Sequence, residues 1–340
     1  MRVRVNRLRS ERPRATARRP SLGSTAWLTA WLSLTLGAAA PGGGRDASER
    51  EALPPGDIVD LVALALSKTR VRAYTEESFS LLADFGPADA NELRSELGLS
   101  VAVPLSSAFS LRASAVGRGW FYGYDGDRSE LAADLGGGSL FEQLYGAEIG
   151  LGGVYQLSPR WSVFGEGRGK LSWEQGAHVA DAAKGSGTLG VGFELDSRLS
   201  LALGVEVGSR LDAGGVRVQP VFGFRWRIRD GMRLESNGIG LLFGLDLRPE
   251  LELQLRARFE SDTHLLDDRG AALGAPTLRQ HRVPLIVALR WTPTPHWRLA
   301  AGAGSVVYQQ WQVEAEQGGQ KNTVDAGPAA LGWLKIEYRF

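Results

Sequence analysis

The 340-residue chain contains no cysteine. Disulfides, thiolate metal sites and a lipid anchor on cysteine are thereby excluded. Histidine is scarce, with residues only at 178, 264, 281 and 296. These show no metal-ligand spacing, and no serine–histidine motif of a lipid hydrolase accompanies them. No cofactor and no metal are expected, and an enzymatic role is the least favoured reading. A basic excess is missing too. Residues 1–20 hold eight arginines and one glutamate of the chain's 39 basic and 38 acidic residues. Residues 41–340 therefore carry 31 basic and 37 acidic groups, a net charge of −6. Such a chain has no surplus of cations for nucleic acid. After residue 40 no apolar run approaches the roughly 18 residues of a helical membrane span.

What is present begins with an export signal. The arginines of residues 1–20 precede an apolar stretch ending in Ala38, Ala39 and Ala40. This reads as a signal peptide over 1–40, with a single membrane anchor as the other reading. Residues 41–69 contain "PPGDIVDLVALALSK" at 54–68. That segment reads as a periplasmic helix, a plug in a lumen, or a linker.

From residue 70 onward the dominant pattern has a period of two, the signature of strands whose successive side chains point to opposite faces. In "VRVQPVFGFRWRI", Val216, Val218, Pro220, Phe222, Phe224, Trp226 and Ile228 form one row. Arg217, Gln219, Arg225 and Arg227 lie in the other. In "LELQLRARF", Leu251, Leu253, Leu255 and Phe259 oppose Glu252, Gln254, Arg256 and Arg258.

A soluble sandwich also alternates. Two features favour a transmembrane barrel instead. The strands run to ten residues or more, whereas soluble strands centre on about five or six. Aromatic residues also mark the ends of the apolar rows. Tyr145 and Tyr155 share a face ten residues apart, about 25 Å along a tilted barrel, which matches the lipid-facing band. Tight turns at 157–160, 195–198, 228–232, 248–250 and 292–296 alternate with longer polar connections at 124–142, 175–186, 261–279 and 315–325.

The C-terminal "GWLKIEYRF" completes the pattern, with Leu334, Ile336, Tyr338 and Phe340 on one face and Lys335, Glu337 and Arg339 on the other. This resembles the last strand of bacterial outer-membrane β-barrels. The resemblance implies export through the periplasm to the outer membrane, with outer-membrane lipid as surroundings. It also implies that Leu334, Ile336, Tyr338 and Phe340 are the signal read by the barrel-assembly machinery.

The fold expected is all-β, an antiparallel up-and-down transmembrane barrel over residues 70–340. Fourteen strands are expected, or twelve if 231–248 is one strand. The inward row predicts a polar lumen of both charge signs. Its lining candidates are Arg217, Arg225, Arg227, Glu252, Gln254, Arg256, Arg258, Lys335 and Glu337. Inward glycines at 150, 152, 190, 192 and 204 are expected to leave room for water, a plug or a ligand. Two functions follow: a channel or transporter for small solutes, or a structural or surface-interaction barrel without transport.

Overall fold

A computed structural model describes residues 69–137, 139–209, 211, 215–236, 239–268, 275–315 and 321–340. The expected signal peptide, and residues 41–68 of the expected plug or linker, lie outside the described residues. The strands are β1 (Arg70–Asp84), β2 (Ala88–Pro104), β3 (Phe109–Gly126), β4 (Gln143–Gln156) and β5 (Trp161–Glu174). Then come β6 (Ala183–Glu194), β7 (Leu199–Ser209), β8 (Val216–Arg229), β9 (Met232–Ser236) and β10 (Gly240–Arg248). The last are β11 (Leu251–Arg258), β12 (Glu260–Leu265), β13 (Thr277–Trp291), β14 (Trp297–Glu314), β15 (Lys321–Ala326) and β16 (Ala329–Arg339). One helix, α1 (Arg128–Asp134), follows β3.

Neighbours in sequence pair antiparallel from β1 to β11, and the ring closes through β13, β14 and β16 back onto β1. Both β11 and β12 pair with β13 in one register, Ala257 opposite Leu285 and Glu260 opposite Arg282. They are one strand interrupted at Phe259. By the same reasoning β15 and β16 are one strand along β14, interrupted at Gly327 and Pro328. The result is a closed antiparallel barrel of fourteen strands. Met232–Ser236 and Gly240–Arg248 are two strands paired antiparallel, so twelve is excluded.

The alternation becomes an inside and an outside. Ile149 and Leu189 are 68% and 72% exposed on the outer face, with Leu151, Leu203, Leu255 and Val287 beside them in kind. Water would not tolerate so continuous an apolar wall; lipid does. No helix among the described residues is long and apolar enough to cross a membrane, which says nothing of strands. At the rim of short turns, Trp161 packs on Phe193 and Trp297 on Tyr338, with centroids 4.5 and 4.7 Å apart. At the opposite, long-loop rim Phe121, Tyr145 and Trp173 touch in a row. Amphipathic rings at both edges of an apolar band suit the two membrane interfaces.

Register shifts beside the short turns at Arg227/Arg229 and Asp246/Arg248 affect only strand ends, whereas two bulges further along their strands reverse the alternation. In β1 the register with β2 shifts between Ser80 and Ala83. Leu82 there has φ +53° and donates its N–H to Asn91 Oδ1 at 2.9 Å. In β14, Val307 is the extra residue opposite Val283 and Pro284. Each bulge moves the following residues to the other face. That is why Ala83, Phe85, Gln309, Trp311 and Val313 are buried.

The connections at the long-loop rim are shorter than the sequence suggested. Parts of 124–142, 261–279 and 315–325 are strand: β3 runs to Gly126, β12 covers Glu260–Leu265, and β15 covers Lys321–Ala326. The β3 and β15 extensions rise beyond the lipid band and β12 turns into the lumen, so no apolar row marks them. The acidic "DGDRSE" at 125–130 begins α1. Asp127 caps it, accepting from Ser129 N at 3.1 Å and Glu130 N at 3.2 Å. The side-chain bond from Ser129, then the backbone bond from Glu130, hold the Asp127 carboxyl below its usual range.

Candidate functional site

The interior divides into two unlike halves. Towards the short turns, side chains fill the lumen. Glu252, 2% exposed, accepts from Arg233 Nη2 at 2.7 Å and Gln254 Nε2 at 3.1 Å, and also from Arg290. Glu235 accepts from Arg225 Nε at 3.0 Å and pairs with Arg233 at 3.4 Å. Glu337 accepts from Arg339 Nε at 2.6 Å and faces Arg72 and Arg298 at 3.8 and 3.9 Å. A buried charge costs several kcal/mol unless paired, and here each of these carboxylates has two or more cationic neighbours. Ala102, Val154, Phe164 and Ala202 fill the space beside them, with Val221 against the cluster.

Two of the inward glycines, Gly152 and Gly190, serve this filling, where the expectation was open room. A Cβ on Gly190 would stand 2.4 Å from Phe164 Cζ, and one on Gly152 would stand 3.1 Å from Glu166 Cβ. At Gly190 and Gly152 the space the glycine vacates is taken by a neighbouring strand's large side chain.

Towards the long loops the barrel is crossed by its own wall. β12 leaves the side of β10 and runs inward to β5, where Leu265 bridges Trp173 in parallel. Ionic contacts fix it across the lumen. Asp262 meets Lys170 Nζ at 3.0 Å and Arg94 Nη1 at 3.6 Å, and Glu260 meets Arg94 Nη1 at 3.2 Å. Lys184 Nζ donates to Thr263 O at 2.9 Å. Beyond the crossing, Asp267 N donates to Glu174 Oε2 at 2.8 Å.

On one side of this crossing strand the mouth is packed with rings. Trp311 stacks on Phe85 at 4.0 Å and meets Phe141 and Tyr122 edge-on at 4.8 and 5.4 Å. Leu131 and Leu135 join them from α1 and its end. His264, fully buried, packs edge-on to Trp120 at 4.6 Å. The sequence placed His264 in a loop; the inward course of β12 makes it core.

Under and beside the crossing strand lies a polar cavity of about 810 Å³. Among the described residues its lining carries ten arginine and lysine residues against six aspartate and glutamate residues. Arg118 is neutralised by Glu96 at 2.6 Å and Glu148 at 2.9 Å. Arg282 Nε donates to Glu260 at 2.5 Å. Arg168 is bound by Glu166. Lys184, Arg217 and Arg256 form no ion pair among the described residues. Arg256 lies over the Trp333 ring, 4.4 Å from its centroid.

Of the residues singled out in the sequence, Arg217, Arg256 and Arg258 line this cavity. Lys335 donates at 2.7 Å to Glu76, which also lines it. Arg225, Glu252, Gln254 and Glu337 belong to the filled half. Arg227 is exposed near the short-turn rim, opposite Arg233. Leu334 is exposed on the outer face; Tyr338 packs against Trp297 and, at 4.7 Å, Phe340. Thr75 pairs with Ile336 across the seam where the last strand meets the first, and Phe340 N donates to Val71 O at 3.0 Å. Sequence reasoning passed over Arg94, Glu96 and Arg118, though the alternation in "ELRSELGLS" carries the same inward signal. It also missed Asp262 and Thr263, whose polar surroundings look like loop. The remaining histidines are dispersed: His178 is exposed beside Asp181, and His296 Nδ1 lies 2.8 Å from Arg339 O.

No family model and no curated protein matches the chain. Solved barrels do resemble it. An outer-membrane channel from Pseudomonas putida F1 is 12% identical, with 87% of this chain and 100% of that chain covered and a TM-score of 0.43. The Pseudomonas putida toluene transporter TodX is 9% identical over 82% and 90%, with a TM-score of 0.39. The translocator domain of autotransporter NalP from Neisseria meningitidis is 12% identical over 82% and 93%, at 0.35. Scores at this level carry no argument about function, and the barrel rests on its own strand pairings.

Proposed function

We propose that this integral membrane β-barrel is an outer-membrane channel for small solutes that favours anions. The observation that carries the reading is the cationic surplus of the lumen cavity: among the described lining residues ten are basic and six acidic, with Lys184, Arg217 and Arg256 outside any described ion pair. A wall of one sign selects through its field, most strongly where low-dielectric walls confine the solution. The aromatic girdles and the resemblance of the last strand support an outer-membrane location reached through the periplasm. They also support Leu334, Ile336, Tyr338 and Phe340 as the segment met by the barrel-assembly machinery. On this reading the short turns are periplasmic and the crossing strand lies under the extracellular mouth.

The test is reversal potential in a planar lipid bilayer under a salt gradient. The expected result is a modest anion preference that falls when Arg217 and Arg256 are both replaced by glutamine. One observation favours a second reading, a barrel that props or presents without conducting. The Glu252, Glu235 and Glu337 networks fill the short-turn half. Absence of any conductance, in the full chain and in a form lacking residues 41–69, decides for that second reading.

A further inference from the structure

The lipid-facing wall carries one acid. In β1, Tyr74 is buried in the interior and Glu76 lines the cavity. Alternation therefore turns Thr75 and Glu77 to the outer face. Between the two aromatic girdles the outward rows hold no Asp, Lys, Arg or His among the described residues, and a single Glu, Glu77. Its height follows from two registers. Ala73, opposite Tyr338 of the short-turn girdle, precedes Glu77 by four residues, about 10 Å along the axis at the usual rise and tilt. In the other direction Glu77 pairs with Ser95, Ser95 with Gly119, and Gly119 with Tyr145 of the long-loop girdle. Those strand spacings climb about 9 Å at the same tilt. The carboxyl sits near the middle of the apolar band.

Its hydrogen bonds are incomplete. Ser95 Oγ donates to Glu77 Oε1 at 2.8 Å, and Thr75 Oγ1 donates to the same oxygen at 3.3 Å. Oε2 has no partner among the described residues. The nearby cations Lys335 and Arg94 face inward and pair with Glu76 and Glu92. Lipid tails offer neither donor nor acceptor, so ionisable side chains at this depth almost always face protein or a water-filled cavity. A carboxyl that carries its proton both donates and accepts, and is complementary to a second copy of itself. A two-fold interface sets the same patch on both partners, so residues on its axis meet their own counterparts. The wall around Glu77 also permits close approach. Gly332 lies opposite Phe79 and Gly117 opposite Leu97. A Cβ on Gly117 would meet nothing within 4 Å, and one on Gly332 nothing nearer than 4.0 Å. Ala301 and Ala303 continue the low surface onto β14, while Phe79 and Leu97 stand exposed beside the hollows. Small residues that let backbones approach, with polar groups bonded across the contact, characterise protein surfaces that associate within lipid.

We propose that the outer face of β16, β1, β2 and β3 is a dimer interface between two copies of this chain, with the two Glu77 carboxyls paired across the two-fold axis. Association removes both carboxyls from lipid and gives each Oε2 a partner. The interface lies on the lipid-facing wall and does not depend on whether the lumen conducts.

The test is sedimentation equilibrium of the full chain in a density-matched non-ionic detergent, which should show a reversible dimer. Glu77→Leu should raise the dissociation constant about tenfold, the loss of the paired hydrogen bonds in an apolar medium. Glu77→Gln keeps a donor and an acceptor and should associate within about threefold of the parent. Both substitutions lie on the lipid face, and heat-modifiable migration shows that each barrel has folded. The chain has no cysteine, so single introduced thiols report contact in phosphatidylcholine vesicles. Thr75→Cys should form an intermolecular disulfide on oxidation, and Leu203→Cys, on β7 across the barrel, should not. A monomer at every concentration leaves Glu77 to lipid or to a different protein and overturns the proposal. So does Glu77→Leu associating as tightly as the parent, Glu77→Gln losing as much as Glu77→Leu, or Thr75→Cys cross-linking no more readily than Leu203→Cys.

Discussion

Single side chains in this barrel answer to two solvents, and substitution separates them. Ile149 sits midway along β4 on the lipid face, between Tyr145 and Tyr155. Ile149→Arg should destabilise the barrel by about 2–4 kcal/mol, the cost of a cation near the bilayer midplane. Refolding into vesicles across a urea series measures it. Glu252 faces the other way and is held by Arg233, Arg290 and Gln254. Glu252→Ala removes one carboxylate partner from each of two buried guanidinium groups, Arg233 keeping Glu235, and should cost about 1.5–3 kcal/mol in the same assay. Tolerance of both changes would invalidate the assignment of faces. At this scale the sequence was largely legible, because a period of two assigns each side chain to a face without knowledge of the neighbours. It failed at Phe85 and Trp311. Bulges at Leu82 and Val307 reverse the parity, and neither residue type announces a bulge. It also failed for inward glycines, since the occupant of each vacancy comes from another strand. Tyr74 shows this: its ring covers Gly98, where a Cβ would come within 2.1 Å of Cε1, and its hydroxyl donates to Glu96 at 2.5 Å. Gly98→Val should destabilise by about 1–3 kcal/mol through overpacking. Added Tyr74→Ala should recover part of the loss, a coupling read from a double-mutant cycle.

Among elements, the least legible was β12. Its residues, Glu-Ser-Asp-Thr-His-Leu, alternate acids with hydroxyls rather than apolar with polar groups, and both faces end up in the interior. An apolar row appears only where one face meets lipid, so a strand folded across the lumen reads as a loop. β15 was hidden for another reason: it extends past the lipid band along β14, where its outward residues are exposed polar groups instead of an apolar row. The position of β12 can be tested because the chain has no cysteine of its own. Trp173→Cys with Leu265→Cys places two thiols at bridged positions, within reach of disulfide geometry. Oxidation should hold the crossing strand in place and lower any conductance, and reduction should restore it. Glu260→Gln with Asp262→Asn removes the ionic contacts to Arg94 and Lys170 and should raise conductance. No change in either direction would show that β12 does not limit passage. A smaller device is the cap of α1. Asp127 has its carboxyl held below the usual value of about 3.9. The stabilisation is therefore complete above that value and is lost as pH falls through the lower folded-state value. Protection factors of residues 128–134, taken relative to the intrinsic exchange rate at each pH, should fall in acid, and Asp127→Ala should show the lowered protection already at neutral pH.

For the whole molecule, the ring of fourteen strands was readable from turn spacing, but what occupies the ring was not. Fourteen strands enclose a backbone radius of roughly 14 Å, wide enough for a water-filled pore if the lining were short. The lining is long. Arginine–glutamate networks and the Phe164 cluster fill the short-turn half, and a strand and a cluster of rings occupy much of the other mouth. Charge alternation in the sequence signals polar inward side chains equally well whether they face water or each other. Which occurs depends on cross-strand distances that only the closed register defines. The consequence is a conductance far below that of an open cylinder of the same strand number. Phe164→Gly with Val221→Gly should raise it, since those side chains fill the lumen beside the ion-pair network and their loss need not disturb Glu252, Glu235 or Glu337. Single-channel recording of the double variant against the parent checks this, with heat-modifiable migration and β-type circular dichroism confirming that the barrel has folded. Unchanged conductance in a folded double variant would place the narrowest point in the ion-pair network or under the crossing strand, and the disulfide experiment then distinguishes the two.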